Sequence, residues 1–182
     1  MRLFIGIPLA AGTADALTVI VHQLHAKAAP QGLRWSARES WHITLQFLGS
    51  AKSEQYDCIA ARLRDLRSPH LFIELGSLGT FDRAGVLYVE VRVTPELTAL
   101  QEAVTAATAP CGFTPEDRPY HPHITLARRK GKGARELHDL RLQIQQQPKL
   151  AGFTADSFVL YESTPTPEGS RYDVRERFSL HR

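Results

Sequence analysis

The sequence predicts an α+β chain with mixed or antiparallel sheets. Four segments repeat apolar residues at helical spacing, while other runs alternate apolar and polar residues with a period of two. Helices and strands are intermixed, yet many links between strands are hairpin-short, which a doubly wound parallel sheet does not allow. At 182 residues the chain has the usual size of one domain and can bury about two thirds of its unfolded surface. The expectation is therefore a single domain spanning 1–182. Hydrophobic content of 43% and charged content of 23% are those of an ordinary soluble globular protein. They exclude a mostly disordered chain, a collagen-like repeat and a disulfide scaffold.

In order along the chain, Leu3 to Leu9 reads as the first strand. From Thr13 onward Leu17, Ile20, Val21, Leu24 and Ala28 share one helical face, and Pro30-Gln31-Gly32 ends that helix. Trp41 to Leu48 reads as a strand. Ser53 is placed to cap a second helix with inner face Tyr56, Ile59, Ala60, Leu63 and Leu66, closed by Ser68-Pro69. Leu71 to Leu75 follows as a strand. Leu87, Val89, Val91 and Val93 alternate with Tyr88, Glu90 and Arg92, the mark of a sheet with one face on a core. Thr94-Pro95 is a cap and a first-turn proline, followed by Leu97, Leu100, Val104 and Ala107. Pro122 to Ala127 is a strand, and Ala134 to Gln147, with Leu137, Leu140 and Ile144 on one side, is a fourth helix. Phe158 to Tyr161 and an alternating run through Tyr172, Val174, Phe178 and Leu180 close the chain, with a surface loop at Thr164 to Gly169 between them.

Net charge is +3 and the isoelectric point near 9.0, a mild bias compatible with a polyanionic partner. No apolar stretch reaches the roughly 18 residues that a membrane helix needs. The first 16 residues imitate a short signal peptide, but Arg2 is the lone cation and Gly6 and Pro8 interrupt the apolar run. Cys58 and Cys111 have neither zinc-ligand nor redox-pair spacing. They allow one disulfide; the expectation is two reduced thiols in a cytoplasmic protein.

One feature stands above this background. His42-Ile43-Thr44-Leu45 recurs letter for letter as His123-Ile124-Thr125-Leu126, 81 residues later. In a strand, His42 and Thr44 point to one face while Ile43, Leu45 and Phe47 point to the other, and the second copy splits the same way. Each strand thus offers an imidazole and a hydroxyl about 7 Å apart over an apolar underside. If the strands face each other, both pairs converge on one cleft. Imidazole titrates near neutral pH, so one ring can be the base while the other is the acid. Threonine hydroxyls can donate to phosphate oxygens. Spacing alone is equally consistent with two surface histidines bonded locally.

The doubled His-x-Thr-x pattern resembles the two-histidine phosphoesterase superfamily. Arg2 to Ile7, Trp41 to Gly49 and Arg118 to Arg128 look like the corresponding segments of the bacterial and archaeal RNA 2′,3′-cyclic phosphodiesterases, formerly called 2′-5′ RNA ligases. The resemblance implies two pseudo-symmetric lobes, each a mostly antiparallel sheet with outer helices, flanking a central cleft. It implies opening of a 2′,3′-cyclic phosphate at an RNA 3′ end to a 2′-phosphomonoester, with the reverse 2′-5′ joining of tRNA halves in some members. His123 would activate water, His42 would protonate the departing 3′ oxygen, and Thr44 and Thr125 would hold phosphate oxygens. The implied partner is RNA bearing a cyclic-phosphate end, tRNA fragments among the candidates. No cofactor, metal, membrane or obligate protein partner is implied.

Arg128, Arg129, Lys130, Lys132 and Arg135 place five cations in eight residues after the second motif. Such a loop can track an RNA backbone, although a solvated loop explains the outer residues equally simply. Arg128 is assigned to phosphate binding; strict alternation points it away from the cleft, so this assignment requires a bend at the strand end. His121-x-His123 invites a metal reading, but no carboxylate or cysteine cluster completes a ligand set. Trp35, Trp41 and Tyr120 could stack on a base or simply pack. Two rival functions are an RNA-end-binding protein and the same chemistry on a small cyclic nucleotide, such as a cyclic phosphate of ADP-ribose.

Overall fold

The computed structural model describes residues 1–27, 32–131, 137, 140–167 and 169–181. Its strands are β1 (Arg2–Pro8), β2 (Leu33–Trp35), β3 (His42–Ser50), β4 (Leu71–Ile73), β5 (Leu75–Phe81), β6 (Val86–Val91), β7 (His123–Arg129), β8 (Phe153–Ala155), β9 (Ser157–Thr166) and β10 (Gly169–Ser179). The helices are α1 (Ala11–Lys27), α2 (Ser53–Asp65), α3 (Pro95–Thr108) and a short α4 (Arg141–Gln145). Two four-stranded antiparallel sheets, in the orders β10-β9-β1-β3 and β2-β7-β6-β5, carry the architecture, and β4 pairs β8 apart from them. The α+β expectation with two lobes holds. Each sheet repeats one unit: a central strand (β1 or β6), then a helix (α1 or α3), then a histidine strand (β3 or β7) paired antiparallel to the central one.

The core explains this arrangement. Leu3, Ile5 and Ile7 of β1 are buried against the same apolar cluster as Leu17, Ile20 and Leu24 of α1, at the i, i+3, i+7 spacing that puts one helical stripe inward. The opposite face of β1 belongs elsewhere: Phe4 packs with Val159 and Tyr161 in a second, smaller cluster. α3 is capped as expected, the Leu97 amide donating to Thr94 Oγ1 at 3.2 Å, with Pro95 opening the helix.

Several sequence expectations need correction. Ser53 is the first residue of α2 and not its cap; Lys52 takes that position, its amide donating to the Gln55 side chain at 3.1 Å. Leu71 to Leu75 is two strands in different sheets, broken at Glu74, because β4 pairs β8 while β5 pairs β6. β6 ends at Val91, leaving Val93 exposed. The loop expected at 164–169 is mostly strand, since β9 runs to Thr166 and β10 starts at Gly169. The stop expected for the first helix, much of the fourth helix before 140, Lys132, Arg135 and His138 lie outside the described residues; Leu137, Leu140 and Ile144 are buried as their pattern requires. Cys58 and Cys111 are joined in a disulfide, Cα atoms 5.8 Å apart, against the expectation of two thiols. The fold brings α2 against the 3₁₀ turn Ala109–Cys111 that follows α3, a long-range contact that spacing does not reveal. Among the described residues no helix is long and apolar enough to cross a membrane.

Candidate active site

The two histidine strands belong to different sheets, and Thr44 of one and His123 of the other line the same cleft, whereas His42 and Thr125 are not among its lining residues. His42 pairs in register with Pro8 of β1, and Thr44 with Gly6. Gly6 is required for this: a Cβ there would lie 2.8 Å from the Ile43 carbonyl oxygen and 3.3 Å from His42 Cδ2. The vacated space lets the His42 ring settle against Phe4, centroids 4.6 Å apart, with Tyr172 edge-on at 5.2 Å and Tyr161 at 5.7 Å. On the other side His123 pairs with Glu90 of β6, and Thr125 with Tyr88. Phe81 meets His123 edge-on at 5.2 Å and Tyr88 lies at 5.6 Å. Tyr88 itself stacks on Phe81 at 4.1 Å, and its ring lies across Gly79, where a Cβ would come within 2.8 Å of it. Each imidazole therefore sits in an aromatic wall built by its own sheet.

The same hydrogen bond orients both rings. His42 Nδ1 lies 2.7 Å from the Ser40 carbonyl oxygen, and His123 Nδ1 lies 2.8 Å from the His121 carbonyl oxygen. A carbonyl only accepts, so each Nδ1 carries a proton, and each neutral ring presents Nε2 with a free lone pair. Burial holds the His42 imidazolium down, to a pKa of about 4, with repulsion from His123 and Arg128 adding to it and the Ser40 bond opposing. His123 is lowered too, first by burial, then by His121 and Arg128, against the bond to His121. Both rings are thus neutral at pH 7 in the unliganded cleft.

Two bulges decide what else faces the cleft. In β3 the register with β1 passes from Thr44↔Gly6 to Gln46↔Ile5, so Leu45 is the extra residue. The bulge turns Gln46 inward, 6% exposed, its amide 2.8 Å from Thr108 Oγ1 of α3, and swings Phe47 out to 58% exposure on the cleft wall. The expectation that Phe47 shares the face of Ile43 and Leu45 is therefore wrong. In β7 the register with β6 passes from Thr125↔Tyr88 to Ala127↔Leu87, making Leu126 the extra residue. That bulge supplies the bend Arg128 needs: its side chain lines the cleft and its charge acts on both histidines. Arg129 takes the other side, where its Nε donates to the Gly131 carbonyl at 3.2 Å.

The cleft has a volume of about 1140 Å³ and runs from Thr44, His123 and Arg128 past Phe47 and Tyr120 to α3 and the 115–119 segment. Tyr120 donates its hydroxyl to the Thr44 carbonyl at 3.0 Å, and burial pushes its phenol pKa up, so it stays a donor. The hydroxyls of Thr44 and Thr125 have no partner among the described residues. Trp41 is buried and Trp35 packs on the core beside His25, rings 5.4 Å apart, so neither tryptophan stands in the cleft. Among the described residues no three His, Cys, Asp or Glu side chains cluster as a metal site requires.

A profile of the 2′-5′ RNA ligase superfamily matches residues 13–166. The chain belongs to this superfamily. An RNA 2′,3′-cyclic phosphodiesterase of Aeropyrum pernix is 34% identical over 140 residues, covering 74% of this chain and 78% of that protein. One of Escherichia coli is 27% identical over 180 residues, covering 98% and 96%. The crystal structure of Escherichia coli LigT complexed with 3′-AMP is similar to the whole chain, with a TM-score of 0.79 and 26% identity, and 98% of that chain is covered. In this superfamily member, sequence reading missed Phe4, Phe81, Tyr88, Tyr161 and Tyr172, the rings around the histidines. They come from strands distant in sequence, and only the alternation of β6, which sets Tyr88 opposite Leu87 and Val89, hinted at one of them; the alternation of the last strand grouped Tyr172 with Phe178 and Leu180, and the register shift between Val174 and Glu176 breaks that grouping.

Proposed function

We propose that His42 and His123 are the acid–base pair with which this RNA 2′,3′-cyclic phosphodiesterase opens the cyclic phosphate. One observation carries the reading: two imidazoles from two sheets, each with Nδ1–H tied to a carbonyl two residues upstream, lie within electrostatic reach of one arginine, and His42 also within reach of His123. In the proposed step His123 Nε2 takes a proton from water as its oxygen attacks phosphorus. The P–O3′ bond breaks in line with that attack, and His42, as the imidazolium that a bound phosphate anion favours, gives its Nε2 proton to the departing 3′ oxygen, leaving a 2′-phosphomonoester. Thr44 and Thr125 donate to the nonbridging oxygens, and Arg128 offsets the charge that grows on them. With an RNA 5′-hydroxyl in place of water, the same displacement leaves a 2′-5′ bond. A protein that only bound RNA ends would have no use for two imidazoles with matched tautomers. The decisive assay is turnover of an RNA oligomer ending in a 2′,3′-cyclic phosphate, with the product phosphate located. A 3′-phosphate product would overturn the assignment.

Two expectations follow for the reaction. It should survive exhaustive chelation, because histidines and neutral donors cover every role; activity lost to chelator and restored by zinc or manganese would defeat this reading.

The second concerns pH. Catalysis needs one ring protonated and one neutral, which gives a bell. In the free enzyme burial lowers both histidines below 6.5, so the alkaline limb of kcat/KM should begin below pH 6.5. A bound phosphate anion favours the imidazolium and raises both values, so the bell for kcat should lie at higher pH. Coincident profiles for kcat and kcat/KM would contradict this electrostatic account.

A further inference from the structure

We propose that the open face of the sheet β10-β9-β1-β3, from His42 across Tyr172 and Val174 to Arg2 and Arg177, carries the single-stranded body of the RNA whose end is opened. This rests on the reading of the site as a cyclic phosphodiesterase. In that reaction the 3′ oxygen leaves phosphorus but stays on its ribose. In-line displacement sets it opposite the attacking water, so the ribose and the chain continuing from its 5′ side lie on the His42 side. His42 belongs to this sheet, and its ring is met there by Phe4 at 4.6 Å and by Tyr172 at 5.2 Å. Strand register lays out the face. Phe4, Val159 and Tyr161 form its floor, a cluster separate from the main core. Val174 pairs with Tyr161 and Arg177 with Val159, while Arg2 lies two residues from Phe4 on β1, so all three share that face. Val174 is 56% exposed, and Phe47, 58% exposed, sets its ring 6.2 Å from Phe4 where the face meets the cleft. Apolar side chains held in solvent beside aromatic rings give unstacked bases a surface to lie on. The charges are sorted between the two faces. β1, β3, β9 and β10 hold three carboxylates, each matched with an arginine: Glu162 lies 3.3 Å from Arg175, Asp173 3.1 Å from Arg171 and Glu176 2.6 Å from Arg64 of α2. All three lie on the helix side, since Arg175 sits over the Tyr56 ring of α2 and Asp173 pairs in register with Glu162. The open face carries none of them and presents Arg2 and Arg177, both exposed. Ser157 Oγ accepts from Arg177 Nη1 at 2.9 Å and donates to Asp156 at 2.8 Å, which fixes the guanidinium on the surface. A face that is aromatic, apolar and cationic, and that continues from the acid histidine, fits a phosphate-linked chain of bases.

The test compares a nucleoside 2′,3′-cyclic phosphate with a single-stranded RNA of about six nucleotides ending in the same group. Wild-type kcat/KM should be at least about tenfold higher on the RNA, mostly through KM, and should fall more steeply with salt on the RNA. Replacing Arg2 and Arg177 together by glutamine should remove most of that advantage and lower the salt slope by about 0.7 for each arginine. Val174→Lys should raise kcat/KM on the RNA and Val174→Glu should lower it, each by about threefold. Val174 is exposed, so both variants should keep the wild-type unfolding midpoint, which is measured alongside. The nucleotide does not reach this face, so every variant should open it with the wild-type kcat/KM. Equal kcat/KM on the two substrates in wild type, Val174 variants with unaltered kcat/KM on the RNA, or equal losses on both substrates overturn the surface while leaving the cyclic phosphodiesterase reading intact. Failure of wild type to open either substrate removes that reading, and the surface with it.

Discussion

His42→Ala and His123→Ala should each lower kcat by about 10²- to 10⁴-fold, roughly 3 to 5 kcal/mol of barrier, with the protein still folded. The size follows from what each ring does: proton transfer by one group held in place by neighbouring aromatic rings. Because the two act on one displacement, the double variant should be little worse than the more damaged single one. Thr44→Val and Thr125→Val should cost less, about 1.5 to 3 kcal/mol each, the worth of one hydrogen bond to a charged group. The proposed roles separate with a substrate whose 3′ leaving group is far more acidic. It needs little protonation, so it should rescue His42→Ala and not His123→Ala. The opposite pattern reverses the acid and base labels. Loss of less than tenfold in both histidine variants would remove the pair from the chemistry altogether. Stopped-flow or single-turnover rates are the proper readout, since slow product release would mask the chemical step.

The contrast between what sequence reading reached and what it missed has a physical cause. Amphipathic stripes and strand alternation are local patterns, so α1, α2, α3, β1, β3, β7 and β10 were legible, as was the Thr94 cap. The correspondence of the two histidine strands was legible through the repeated tetrapeptide, whose chemistry lies in residues that share a face. Bulges are different. The extra residues Leu45 and Leu126 arise from how β3 and β7 pair with β1 and β6, and a one-residue slip reverses every side chain after it. Phe47 was placed on the wrong face for that reason, and Arg128 could be placed in the cleft only by postulating a bend. β2 was missed because it is three residues long and pairs outside its own half of the chain, with β7. β5 was missed because Gly76 and Gly79 interrupt its pattern, and both make room for side chains of β6.

The disulfide was also beyond local reading, and it sets the second large effect. Replacing both Cys58 and Cys111 by alanine should lower the unfolding free energy. The bond closes a loop with a sequence separation of 53, for which loop-closure entropy gives about 4 kcal/mol. In a chain of this size that is a fall in Tm of about 8 to 16 °C. Reduction of the wild-type protein should do the same. The consequence should reach the cleft. Cys111 begins the segment that carries Pro115, Pro119 and Tyr120 along the cavity wall, and Gln55 of α2 adds a second tie by donating to the Cys111 carbonyl at 3.2 Å. His123 itself is held by the β6–β7 ladder, which the disulfide does not touch. Loss of the bond should therefore raise KM for RNA ends more than it lowers kcat. Calorimetry with and without reductant, paired with steady-state kinetics well below the new Tm, checks both halves. A Tm shift under about 2 °C would mean that the segment is held by packing and not by the bond; an equal loss in kcat would mean that the wall also positions the catalytic histidines.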